Sequence, residues 1–277
     1  MLTPWQVPMS FYVFQQKVAL PGAFPGQWIP RKGSQQIVFD LMQPAIRYTR
    51  AQVIELPPSQ TITHEVKLSA PQRDAAKVLI KDLIVQYREG KVKAANAAVL
   101  LGKLLQIYSG AVYTDTRQVI DLQADYRIDL TRELITEAEG KAIVFVPYIH
   151  LCELLPQALG LPGIRVVHGS TPDRERNVIF TDFQDKNSPI KCLVAHPKCM
   201  AHGLNLTQAN IIIWYAPTTS HETFDQANAR IARAGQEREQ IIYRLTSSAA
   251  ENKIYKTLDN RGSMQEAVLD LFEQKFT

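Results

Sequence analysis

The sequence predicts an α/β fold built on an open, mostly parallel sheet with helices on both faces, and three observations predict it. Beyond Gly140, five apolar runs (142–147, 164–168, 190–196, 210–216 and 240–245) are continuous rather than alternating, as strands buried on both faces are. Most are separated by stretches with helical spacing, the pattern of strand, crossover helix and parallel strand. The turn residues between the runs are glycine, proline, serine and threonine at positions where such elements start or stop.

Taken in order, the first sixty residues are punctuated by Pro4, Pro8, Pro21, Gly22, Pro25, Gly26, Pro30, Gly33, Pro44, Pro57 and Pro58. Such a segment supports one short helix, Ser10 to Val18, and is otherwise an irregular linker. Ser69 with Gln72 three residues on forms a capping-box signature, and Pro71 falls where an early helical proline is tolerated. A helix over 70–88 follows, ended by Gly90, and the alanine- and leucine-rich stretch 92–108 makes a second, so the two form a helical hairpin. Helices over 148–159, from Thr171-Pro172 to Phe183, over 221–234 and over 248–274 complete the sheet domain. The organisation expected is therefore residues 1–60 as an irregular lead-in, 61–137 as a helical protrusion and 138–277 as the α/β domain.

The chain has 277 residues, is 45% hydrophobic and 21% charged, and carries a net charge of +4. Disorder, collagen and disulfide scaffolds are excluded. Residues 1–137 hold 16 Lys+Arg against 12 Asp+Glu, while 138–277 are balanced at 15 and 15, so the positive excess sits in the first half. That excess permits a polyanionic partner. Cys152, Cys192 and Cys199 form no CxxC pair, which points to reduced thiols in a cytoplasmic protein and away from a metal site. No apolar run approaches the roughly 18 residues of a membrane span, and the start lacks the character of a signal peptide. A membrane partner is not expected.

Three stretches could carry chemistry. In QANARIARAGQ (226–236), Gln226, Arg230 and Arg233 fall at i, i+4 and i+7, one face of the expected helix, with Phe224, Ala227, Ile231 and Ala234 on the apolar face. Two guanidiniums on a rigid helix suit a phosphate, although spacing alone equally describes a solvated helix with two arginines. In HPKCMAHGLNLTQA (196–209), Gly203 and Asn205 allow a positive-φ turn that aims backbone N–H groups at an anion, and His196, Lys198 and His202 add donors. In HGSTPDRERNVIFTDF (168–183), His168 and Gly169 precede a helix start bearing Ser170, Thr171 and Asp173, which helix capping alone would also explain. His64, His150 and His221 read as ordinary side chains. The sequence contains no G-x-x-x-x-G-K-[ST] loop, G-x-G-x-x-G fingerprint, G-x-S-x-G elbow or H-E-x-x-H pair, so a nucleotide acted on by Arg230 and Arg233 needs another lobe to hold it.

In this order the segments resemble the second RecA-like lobe of superfamily-two helicases, in particular the Swi/Snf-type DNA translocases and their phage and bacterial relatives. GKAIVFVPYIHLCELLPQAL (140–159) is similar to that family's motif IV region, and VVHGSTPDRERNVIFTDFQ (166–184) to its Gly-Ser segment before an arginine-containing helix. Residues 194–236 resemble motifs V and VI, with the G-L-N-L turn and the Q-x-x-x-R-x-x-R-x-G-Q signature. TPWQVPMSFYVFQQ (3–16) resembles the motif III region of the first lobe, and MQPAIRYTRAQVIELPP (42–58) the interlobe linker, making residues 1–60 a remnant of that lobe plus the linker. Asn228 and Ala229 depart from the eukaryotic pattern, where an aspartate precedes the first arginine.

The resemblance implies the C-terminal motor lobe of an ATP-dependent DNA helicase or translocase. It implies arginine fingers at Arg233 and Arg230, a nucleotide cleft shaped by Gln226, Gln236, Gly203 and Asn205, and DNA-backbone contacts from His196, Lys198, His168 and Ser170. ATP and Mg²⁺ would be held mainly by a first RecA-like lobe, in cis or in trans, with Walker motifs upstream of Met1, and this chain would be inactive alone. Its compartment would be the cytoplasm, that of a bacterial host if phage-encoded. The competing expectation is a non-catalytic DNA-binding module with a helicase-like fold.

Overall fold

The computed structural model describes residues 10–22, 26–41, 57–88, 94–114, 116, 118–200, 205–264, 267, 270 and 271. The chain divides into two compact units, Met1–Glu55 and Leu56–Thr277. In the first, helix α1 (Phe11–Val18) runs into an antiparallel pair, β1 (Ala19–Pro21) and β2 (Trp28–Pro30), followed by α2 (Ser34–Leu41). The expected helix start at Ser10 is present, its hydroxyl accepting from the Val13 N–H at 3.3 Å. The linker resemblance at 42–56 lies outside the described residues.

The second unit holds a six-stranded sheet in the order β3-β10-β9-β6-β8-β7 with every neighbouring pair parallel. Its strands are β3 (Ser59–Glu65), β6 (Lys141–Phe145), β7 (Ile164–Val167), β8 (Cys192–Ala195), β9 (Ala209–Trp214) and β10 (Gln240–Thr246). All of β6, β8 and β9 is buried, so their side chains alternate between two cores. Ile143, Phe145, Leu193, Ile212 and Trp214 pack with Phe180, Phe183, Phe224 and Ile254. Ala142, Val144, Val194, Ile211 and Ile213 pack with Leu134, Leu151, Leu155 and Leu159 on the opposite face. The apolar continuity that identified five strands is thus the two-faced burial of a parallel sheet.

Helices α3 (Ala70–Arg88) and α4 (Ala94–Ser109) form the expected hairpin. The capping box closes in both directions: Ser69 N–H donates to Gln72 Oε1 at 2.9 Å and Gln72 N–H to Ser69 Oγ at 3.2 Å. Gln72 Nε2 also donates to the Ile107 and Tyr108 carbonyls, tying the two helices together.

Several elements were not legible in the sequence. Strand β3 adds to β10 from Ser59↔Gln240 to Glu65↔Thr246, running across the 60/61 boundary drawn from composition. It is an edge strand with almost every side chain exposed, so it has no apolar run. A two-stranded hairpin, β4 (Ala111–Tyr113) with β5 (Val119–Asp121), and helix α5 (Asp125–Thr136) lie between the helical hairpin and the sheet. Helices α6 (Ile149–Leu159), α7 (Asp173–Gln184) and α8 (His221–Asn228) follow β6, β7 and β9. The long C-terminal helix expected over 248–274 is interrupted. Helix α9 (Ala249–Asp259) stops well short of 274, and Arg261 takes a positive φ of 51°.

One buried ion pair ties these layers together. Arg127 of α5 donates through Nη2 to Glu251 Oε1 and Oε2 of α9, at 2.9 and 3.1 Å, and to Ser247 Oγ at 2.6 Å. Its Nη1 donates to the Tyr215 carbonyl just beyond β9. Both side chains are essentially inaccessible, 1% and 0% exposed. Arg127→Met should therefore destabilise the chain by about 3–5 kcal/mol by leaving a carboxylate buried without its counter-charge, whereas adding Glu251→Leu should restore most of the loss. Urea-denaturation midpoints of the single and double variants measure this; equal midpoints for wild type and the single variant would contradict it.

Candidate functional site

The sheet carries candidate groups beyond both of its ends. At the carboxyl ends of β7 and β8 the chain makes the same turn twice. His168 Nδ1 accepts from the Ser170 N–H and His196 Nδ1 from the Lys198 N–H, each at 3.3 Å. With Nδ1 used as acceptor, the neutral ring of each carries its proton on Nε2. His168 Nε2 lies 3.5 Å from Glu153 Oε1 of α6. The His196 N–H donates to the Val167 carbonyl at 2.8 Å, holding the two strand ends together. A short 3₁₀ turn, Pro197–Met200, then exposes Lys198.

Capping does not account for the serine and threonine before α7. The N-cap is Pro172, with no side-chain cap bond. The Thr171 hydroxyl turns back to accept from the His168 N–H at 3.1 Å instead. Between these turns and α7 lies a cleft of about 560 Å³ lined by Gly169, His196, Lys198, Arg176, Asn177 and Cys199, among others. Burial, helped by the Lys198 charge, holds the His196 pKa below the ordinary imidazole value. Burial raises the Cys199 thiol, partly opposed by Arg176, and pushes the Cys192 thiol up to about 12. All three cysteines are free.

The arginine-bearing stretch lies at the other end of β9. Helix α8 packs Phe224 on Trp214, the last residue of β9, at 4.8 Å between rings, and runs back toward the amino end of that strand. It stops at Asn228 rather than continuing to 234. The carbonyls that a longer helix would use are taken elsewhere: that of Arg230 accepts from the Leu206 N–H at 3.1 Å and that of Ile231 from Gln236 Nε2 at 3.1 Å. Gly235 then turns the chain with φ 93°. Arg230 and Arg233 consequently sit in a turn and do not share a helical face with Gln226, correcting the spacing argument.

Arg230 is buried at 4% exposure, and its burial and the like charge of Arg233 hold its pKa below the ordinary guanidinium value. The Arg233 side chain is half-buried and makes no hydrogen bond or ion pair among the described residues. Two adjacent like charges, one of them without a neutralising partner there, fit a polyphosphate. Gln236 is buried, its Nε2 donating to the Ala209 carbonyl at 2.8 Å and its Oε1 accepting from the Arg238 N–H at 3.1 Å, so it shapes the arginine turn from within. Gln226 Nε2 donates to Glu222 Oε1 at 2.9 Å. Asn205 is exposed on the approach to β9, and Gly203 lies outside the described residues.

The structure thus brings His168, Ser170, His196 and Lys198 together at one end and Arg230, Arg233 and Gln236 at the other, separated by the length of β9, about 20 Å. Two features escaped the sequence reading. Arg176 and Asn177 line the cleft, signalled only by their place in the first turns of a helix at a strand's carboxyl edge. Asn228, the departure from the family pattern, accepts the Trp214 indole N–H at 2.9 Å and anchors the start of the arginine turn to the sheet.

An open, all-parallel six-stranded sheet flanked by helices defines a RecA-like α/β lobe. Residues 126–235 match the family model of the helicase conserved C-terminal domain. Across 74% of the chain the sequence is 29% identical to YwqA of Bacillus subtilis, whose name describes an ATP-dependent helicase/translocase, covering 23% of that protein. It is 29% identical over 57% of the chain to the rice SNF2 domain-containing protein ENL1, covering 16% of it. The fold matches the Sulfolobus solfataricus SWI2/SNF2 ATPase core in complex with double-stranded DNA with a TM-score of 0.59 and 22% identity, over 83% of this chain and 51% of that one. These matches make the chain similar to a C-terminal, second RecA-like lobe of the Swi/Snf-type superfamily-two helicases and translocases. It spans less than half the length of the curated relatives it matches.

The histidines make a pH prediction. The pKa values of His150 and His196 are both lowered by burial, so below pH 6.5 the unfolded chain takes up protons before the folded one does. Stability should be fully present above about pH 6.5 and fall as pH drops toward the folded values. Urea midpoints between pH 7.5 and 5 should decline, and less steeply in His150→Gln, whose native ring bonds the Ala111 carbonyl. A slope unchanged by that substitution would contradict the assignment.

Proposed function

We propose that this chain supplies the C-terminal motor lobe of an ATP-dependent DNA helicase or translocase, with Arg233 and Arg230 reaching the nucleotide phosphates and the opposite end of the sheet gripping the DNA backbone. The observation that carries the reading is the arginine turn: two like charges near enough for Arg233 to lower the Arg230 pKa, in a turn fastened through Leu206, Gln236 and Asn228 to the buried strand β9. A rigid support of this kind suits a group that must meet charge developing on a transferred phosphoryl.

ATP with Mg²⁺ supplies the phosphoryl to be transferred, held mainly by a first RecA-like lobe in cis or in trans. This chain's part is electrostatic: Arg233 as the finger, Arg230 as its buried neighbour, Gln236 and Asn205 shaping the approach. At the carboxyl end, His168, Ser170, His196 and Lys198 present donors suited to phosphodiester oxygens, a sequence-independent and salt-sensitive contact. In this reading residues 1–60 are a remnant of the first lobe with the interlobe linker, and 61–137 a protrusion on the motor.

The test is steady-state ATP hydrolysis by the 277-residue chain, with and without single- and double-stranded DNA, then with the first lobe supplied. No turnover alone and DNA-stimulated turnover with the lobe is the expected result. In that complete enzyme, Arg233→Ala should lower kcat by about 10³-fold or more while ATP affinity changes little. Wild-type turnover in the variant removes the finger assignment. DNA-stimulated turnover by the chain alone overturns the half-motor reading, and DNA binding without any turnover when the lobe is present points to a non-catalytic module.

A further inference from the structure

Helix α7 spans the sheet from one end to the other. It starts beyond the carboxyl end of β7, and its last residue, Gln184, lies against the segment that enters β9 at the amino end. Its 12 residues make it about 18 Å long. Ile179, Phe180 and Phe183 bury its inner face against residues of β6, β8 and β9, which fixes the helix to the sheet. The last carbonyls of a helix have no partner within it. Lys141, the buried first residue of β6, supplies one: its Nζ donates to the Phe183 carbonyl at 2.9 Å and to the Asp185 carbonyl at 2.7 Å. An ammonium there also meets the negative end of the helix dipole. The end of α7 is thereby pinned to the start of β6.

That pinned end holds the segment to which the arginine turn is attached. Leu206, Thr207 and Gln208 belong to no helix or strand, so the hydrogen bonds of their own peptides set their position. The Gln208 N–H donates to Gln184 Oε1 at 3.1 Å. The Gln208 carbonyl accepts from the Lys141 N–H and from Arg238 Nη1, each at 3.4 Å. On one side of it the Leu206 N–H donates to the Arg230 carbonyl at 3.1 Å, and on the other the Ala209 carbonyl accepts from Gln236 Nε2 at 2.8 Å. The Gln208 peptide therefore lies between the two attachments of the arginine turn. Gln184 meets it with an acceptor oxygen from a half-buried side chain at the end of a rigid helix.

We propose that Gln184, supported by Lys141, is a positioning residue for the arginine turn: by holding the Gln208 peptide it fixes where Arg233 meets the nucleotide phosphates. Its role is placement, exerted through the backbone of Gln208 and without contact to nucleotide or DNA. A catalytic charge has to be held within about 0.5 Å of its productive place, which makes the groups behind it matter to the rate. Loosening Gln208 lets the turn drift, and the drift lowers turnover while ATP, held mainly by the first lobe, binds as before. The inference rests on the proposed finger role of Arg233 and adds the residues that place the finger.

The experiment is DNA-stimulated ATP hydrolysis by the full chain together with the first lobe. Gln184→Ala should lower kcat about tenfold and leave KM for ATP within about twofold of wild type. Gln184→Glu keeps an acceptor oxygen opposite the Gln208 N–H, beside the cationic Lys186 and Arg238, and should bring kcat back to within about twofold of wild type. In an Arg233→Ala background, Gln184→Ala should cause no further loss, because a residue that acts through the finger then has nothing left to place. Wild-type kcat in Gln184→Ala while Arg233→Ala is impaired would overturn the positioning role and leave the finger standing. So would a loss that multiplies with that of Arg233→Ala, a loss that Gln184→Glu does not relieve, or a raised KM at unchanged kcat. Wild-type turnover in Arg233→Ala would instead remove the finger, and the positioning role with it. Absence of DNA-stimulated turnover with both lobes present would overturn the half-motor reading on which both depend.

Discussion

Strand β9 is hydrogen-bonded on both sides and buried along all six residues, from Ala209 to Trp214. A strand in that position cannot carry a charge of its own, because a charge taken fully out of water costs several kcal/mol unless paired. Every candidate functional group has therefore been displaced to the loops beyond the strand ends. The segment preceding β9 meets the arginine turn through Leu206, and Tyr215 just after it receives Arg127. The burial of one strand thus determines where this lobe can have chemistry at all.

The two ends are mechanically joined by the same framework. Trp214, at the carboxyl end of β9, touches Phe145 and Phe224 and donates its indole proton to Asn228, at the far end of α8. Helix α8 is further fastened to the region after α9 by the Arg261–Asp225 pair at 2.8 Å and by His221 Nε2 to the Gly262 carbonyl at 2.9 Å. Arg244 completes the bracket, bonded to both oxygens of Asp259 while lying over the rings of Phe224 and Tyr255. A displacement of the arginine turn would have to pass through these contacts.

Electrostatics separates the ends as clearly as geometry does. At the arginine turn the charges are permanent and crowded, and burial depresses Arg230 further. At the histidine turns the strand-end rings keep their Nδ1 atoms on backbone N–H groups and His196 is held toward its neutral form, so the fixed positive charge there comes from Lys198 and Arg176. A neutral ring with Nε2–H is a donor without a charge, a milder grip than a third cation would provide.

The sheet itself could be read from the amino-acid order. Five continuous apolar runs, the Ser69–Gln72 box and the helical hairpin all follow from local periodicity and capping, which do not depend on distant parts of the chain. The motif residues were also legible, and with them the resemblance to the second lobe of superfamily-two helicases. What the order of residues could not reveal was decided by long-range hydrogen bonds. Helix α8 stops at Asn228 because Leu206 and Gln236 claim the carbonyls of Arg230 and Ile231, and neither claim is visible in the 221–234 periodicity. Strand β3 exists because β10 offers it a parallel edge, not because its own side chains demand burial. Arg176 became a candidate only when α7 was laid beside the turn after β8. Periodicity records which side chains leave water; it does not record which backbone groups find one another, and those partners place the charges.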